Sequence, residues 1–70
     1  MPLYRFIIEV PGHTYSDPEG VQLPSEDAAI DYGRRVVREL KEGEFESAGA
    51  VLHIRDENGQ IIHSIPFSPP

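Results

Sequence analysis

Residues 50–67 read AVLHIRDENGQIIHSIPF, two apolar, β-branched runs on either side of Asn58-Gly59. An Asn-Gly step between alternating apolar residues is a strong hairpin signal, because both residues tolerate the positive φ that tight hairpin turns demand. The segment therefore predicts a β-hairpin. Its loop length decides which side chains share a face, since a slip of one residue turns a whole strand over. With an even loop, Leu52 and Ile54 share a face with Ile61, His63, Ile65 and Phe67. With a three-residue loop and a bulge, His53 lies opposite His63 instead. The even register is favoured, because it gathers more apolar side chains on one face.

Upstream, EFESAG (Glu44 to Gly49) reads as a linker in which Phe45 folds back over the core. Before it, Ala29, Tyr32, Gly33, Val36, Val37 and Leu40 follow the three-four spacing of one helical face, which predicts a helix from Glu26 to Glu42. Ser25 is placed to cap it, and Glu26 and Asp27 complement the positive end of its dipole. Ala28 occupies the position where a full capping box needs an acid. Gly43 is expected to stop the helix in the usual C′ role.

The N-terminal stretch LYRFIIEV (Leu3 to Val10) alternates Tyr4, Phe6, Ile8 and Val10 with Leu3, Arg5, Ile7 and Glu9, the two-residue period of a strand. Pro11-Gly12 supplies a turn, and a short return strand follows around Thr14 to Ser16. The acidic, proline-containing segment Asp17 to Pro24 reads as a structured loop with a few residues of edge strand. The order is β-β-α-β-β. It predicts an α+β fold, a small antiparallel sheet of three to four strands with one helix packed on one face. Residues 1–67 form one domain and residues 68–70 a frayed tail.

With 70 residues and no cysteine, the core is small and has no disulfide or cysteine-ligated zinc to support it. Unusually complete packing or self-association must compensate. The net charge of −6 opposes nonspecific nucleic-acid binding. Arg34, Arg35 and Arg38 are the basic residues to weigh against that. Asp31 lies four positions before Arg35, Glu39 four after it, and Glu42 four after Arg38, so these read as a solvated helical face paired with its own acids. The apolar run at the N-terminus is broken by Arg5 and Glu9, unlike a signal peptide, and no run is long enough to span a bilayer. A cytoplasmic protein with no membrane or nucleic-acid partner is expected.

Catalysis is not expected. None of Ser16, Ser25, Ser47, Ser64 or Ser68 sits in a nucleophile motif, and the carboxylate pairs Glu26-Asp27 and Asp56-Glu57 fall where a helix start and a hairpin turn call for acids. His13, His53 and His63 have no recognised metal-ligand spacing, so no metal or other cofactor is expected. The most informative feature is an excess of apolar surface. One helix covers one sheet face, and the other carries Leu3, Ile7, Val51 and Ile62 among Arg5, Glu9, His53 and Arg55. The candidate interaction surface is therefore Leu3, Arg5, Ile7, Val51, His53, Arg55 and Ile62, used for a protein partner or a homodimer, with a free strand edge as a second means of contact. The alternative is a small-ligand- or metal-responsive regulator that uses His53 and His63.

In MPLYRF, in DPEGVQLPSEDAA and in VLHIRDENGQIIHSIPF the chain resembles a family of short bacterial proteins, domain-of-unknown-function family 6894. The resemblance runs over nearly the whole chain. It implies an N-terminal strand, an acidic loop with Gly-x-x-Leu-Pro, one helix and a hairpin closing in Pro-Phe, in a bacterial cytosol. It also implies an aliphatic residue at the place of His63, which favours the even register and disfavours a metal role there. It brings no catalytic or binding residues.

Overall fold

A computed structural model describes residues 1–17, 19–43 and 48–68. The elements run β1 (Leu3–Val10), β2 (His13–Ser16), β3 (Val21–Gln22), α1 (Glu26–Glu42), β4 (Val51–Arg55) and β5 (Ile61–Pro66). All strand pairs are antiparallel, in the order β2-β1-β4-β5, with β3 also pairing β1. The fold is α+β as expected. Its order is β-β-β-α-β-β, because the edge residues anticipated between Asp17 and Pro24 form a strand of their own. β2 lies along Ile7 to Val10 and β3 along Leu3 and Tyr4, so the two short strands divide one edge of β1 between them. The Leu23 N–H donates to the Pro2 carbonyl at 3.0 Å and closes that edge.

The helix has the bounds its periodicity predicts. Ser25 Oγ accepts the Ala28 N–H at 3.2 Å, and the Gly43 N–H donates to the Leu40 carbonyl. Gly43 ends the helix with φ −91°, not in the left-handed conformation. Ala29, Gly33 and Val37 form the buried stripe. Gly33 is the point of closest approach: a Cβ there would stand 3.1 Å from both Leu52 Cδ2 and Ile54 Cδ1. The core joins that stripe to Tyr4, Phe6, Ala50, Leu52, Ile54 and Phe67, and the Phe6 and Tyr32 rings meet at 4.9 Å. The expected packing of Phe45, and the end of the tail at Pro69-Pro70, lie outside the described residues.

The hairpin resolves the register in an unanticipated way. Its loop is the three residues Glu57 to Gly59: the Asp56 N–H donates to the Gln60 carbonyl and the Gly59 N–H to the Asp56 carbonyl, with Gly59 at φ +82°. Such a loop alone would set His53 opposite His63. A bulge intervenes between Ile54 and Arg55, so that Arg55 pairs Ile61 while Ile54 pairs His63 and Leu52 pairs Ile65. The extra residue on β5 restores the even register beyond the turn. His63, Ile65 and Phe67 thus share the helix-covered face with Ile54, Leu52 and Ala50. The bulge also corrects two placements: Ile61 falls beside Arg55 and is 51% exposed, whereas Ile62 packs against the core and leaves the open face.

Candidate interaction surface

The face away from the helix is built from alternate residues of the strands. β1 contributes Leu3, Arg5, Ile7 and Glu9, β4 contributes Val51, His53 and Arg55, and Ser64 and Ser16 flank them. Leu3, Ile7 and Val51 are half-buried, while Arg5, Glu9 and Arg55 are exposed. Of the seven residues expected to form this surface, the structure brings together all but Ile62.

At one end Arg5 and Arg55 are directly opposite each other on neighbouring strands. Like charges so placed repel, and among the described residues no carboxylate lies within 4 Å of either guanidinium. They border a groove of about 580 Å³ with Leu3, Ile7 and Ser16. Three carboxylates stand at its rim, and each accepts backbone N–H groups: Asp17 from Glu19, Asp56 from Asn58 and Gln60, and Glu57 from Leu3. They stabilise the turns and the start of β1.

In the middle of the face, His53 joins three strands. Its Nδ1 lies 2.7 Å from Ser64 Oγ and its Nε2 3.5 Å from Glu9 Oε1. The Phe67 N–H donates to the Ala50 carbonyl, which makes that pair a hydrogen-bonded one and, by alternation, His53 and Ser64 a non-hydrogen-bonded one with closer side chains. Sequence reading missed this chain of three: the favoured even register already sets Ser64 opposite His53, but Glu9 comes to the same imidazole only through the pairing of β1 with β4, which no local pattern shows.

The same bulge separates the histidines. His53 lies on the open face and His63, opposite Ile54, on the covered one, so the two do not form a single site. His13 stacks edge-on against Tyr15 on β2, 4.5 Å between centroids. Among the described residues no three His, Cys, Asp or Glu side chains group as metal ligands. The ion pairs expected along the helix are not closed either: among the described residues, His53 with Glu9 is the one pair within 4 Å. Arg34, Arg35 and Arg38 point into solvent. Among the described residues no helix is long and apolar enough to cross a membrane.

A sheet with one face covered by its helix, and the other bearing apolar and charged residues in alternation, defines a small α+β domain with an open sheet surface. The chain belongs to the family described as a domain of unknown function, DUF6894, whose model matches residues 3–68. No curated protein and no solved structure matches it.

Proposed function

We propose that this chain is a non-catalytic, self-associating module of the cytoplasm whose uncovered sheet face receives a second copy of the chain. The observation that carries this reading is the cluster of Leu3, Ile7 and Val51, half-buried beside the unneutralised pair Arg5 and Arg55. Apolar side chains that leave water on association are stabilised by it, and a domain with so small a core gains from any further burial. The net charge of −6 argues against nucleic acid as the partner.

The face is a better contact than the strand edge. On β5 the backbone groups that point away from β4 belong to the non-hydrogen-bonded positions, and one of these is Pro66, which has no N–H to offer. On the opposite edge β2 has four residues and β3 two. Neither edge offers a long run of free donors and acceptors.

The chain from Ser64 through His53 to Glu9 has the residue types of a hydrolytic triad, but its role in this reading is to orient the imidazole. The groove beside it is lined at the arginine end and includes neither His53 nor Ser64. The serine therefore does not line the groove in which a substrate carbonyl could be held. A fluorophosphonate probe is expected to leave Ser64 unlabelled, and stoichiometric labelling would refute the non-catalytic reading. Self-association is tested by light scattering behind a sizing column over a hundredfold range of concentration. The mass is expected to rise from 7.8 kDa toward twice that value. A monomer throughout overturns the proposal.

A further inference from the structure

Along β1 the open face reads Leu3, Arg5, Ile7 and Glu9, and the strand ends at Val10. The positive Arg5 and the negative Glu9 stand at equal distances on either side of the apolar Ile7, so the pattern complements itself when reversed about that residue. From this we infer that the second copy docks face to face about a twofold axis lying between the sheets, perpendicular to the strands and passing over Ile7 and His53, with Arg5 of each copy meeting Glu9 of the other. The inference rests on the self-association reading and adds its geometry.

A twofold interface brings residue i onto j and j onto i. An axis in this position sets Ile7 against its own copy and carries Leu3 over the Pro11 end of the other chain. Two Arg5–Glu9 contacts form, one on each side of the axis. Arg55 is the strand neighbour of Arg5, and Val51 of Glu9. Each Arg55 therefore comes over Val51 of the other copy, one strand from its Glu9. Arg5 of each copy gains a carboxylate at the place where its own chain provides none within 4 Å among the described residues. An axis parallel to the strands would do the opposite and stack Arg5 and Arg55 on Arg5 and Arg55.

Size and charge set the strength. The strands, of 8, 4, 2, 5 and 6 residues, cover about 400 Å² from each copy at the usual rise and strand spacing. The total of about 800 Å² falls in the range of weak, transient interfaces. Two chains of charge −6 also repel one another, although a screening length of about 8 Å at physiological salt limits that repulsion to groups near the contact. A reversible, concentration-dependent dimer is expected.

The test is a charge swap read by sedimentation equilibrium, with circular dichroism to confirm folding. Both residues are exposed, so the substitutions bury nothing. Arg5→Glu alone and Glu9→Arg alone are each expected to weaken the dimer at least tenfold. Mixing the two single variants, or combining them in one chain, is expected to restore association to within a few-fold of the native chain. Should either reversal impair folding, Arg5→Gln and Glu9→Gln serve instead, each with a several-fold loss. A native dimer indifferent to both reversals, or single variants that stay monomeric when mixed, overturns the Arg5–Glu9 geometry while self-association stands. A native chain that is monomeric throughout overturns both.

Discussion

The two faces of the sheet are made by alternate residues of the same strands and obey different rules. Toward the helix β1 presents Tyr4, Phe6, Ile8 and Val10, and β4 presents Leu52 and Ile54, an apolar series with Leu52 and Ile54 at 0% exposure. Toward solvent the same strands present Leu3, Arg5, Ile7 and Glu9, then Val51, His53 and Arg55, with no position fully buried. The first face is selected for filling space without polar atoms. The second retains apolar residues but separates them with charges and polar groups. The backbone is shared, so the difference lies entirely in what covers each side.

The strongest way to break that comparison is to truncate one residue on each side. Leu52→Ala is expected to cost about 3 kcal/mol, the transfer term plus the cavity left under Gly33. Ile7→Ala, measured at concentrations where the chain is monomeric, is expected to cost less than about 1 kcal/mol. Urea denaturation of the two variants provides the measurement, and equal losses would mean that the outer face is covered within the monomer.

The helix covers its face only as well as it is held. Ser25→Ala removes the side-chain acceptor of the Ala28 N–H and is expected to cost about 1 kcal/mol. Helical circular dichroism and the urea midpoint should fall together. A midpoint unchanged from the native chain would show that sheet packing alone positions the helix.

On the open face a change in the opposite direction is expected. Arg55→Thr relieves the repulsion from Arg5 and places a good strand former on β4, for a gain of about 0.5 kcal/mol in the monomer. A loss of stability would mean that the pair is neutralised within one chain.

The smallest effect concerns the covered face alone. Burial pushes the Tyr4 phenol above its ordinary 10.0, and the carboxylates of Glu26, Asp56 and Glu57 push it the same way. The neutral phenol is the form the fold favours. Its contribution is fully present below the unfolded value near 10 and is lost as pH rises through the higher folded value. In an ultraviolet titration Tyr4 should ionise above the ordinary phenol value, and Tyr4→Phe should remove that step.

Much of this architecture was legible in the residues. The helix from Glu26 to Glu42 was readable because its apolar stripe and its cap are local, a few residues apart. The alternation along β1 and the hairpin at Asn58-Gly59 were readable for the same reason, and with them six of the seven residues of the open face. Ile62 was not, because its placement depends on the bulge opposite Arg55.

What the amino-acid sequence determined by itself is the set of elements, their order and the apolar or charged character of each strand face, since these follow from periods of 3.6 and 2 and from turn chemistry within a few bonds. What only the tertiary structure decided is how the elements meet. β1 became central because β2 and β3 share one of its edges while β4 takes the other. The bulge let a three-residue loop coexist with an apolar inner face and kept Ser64, not His63, opposite His53, while the pairing of β1 with β4 brought Glu9 to the same imidazole. Such pairings join residues up to about fifty positions apart, and they are selected by the free energy of burying one whole face at once, a quantity that no local stretch of chain contains.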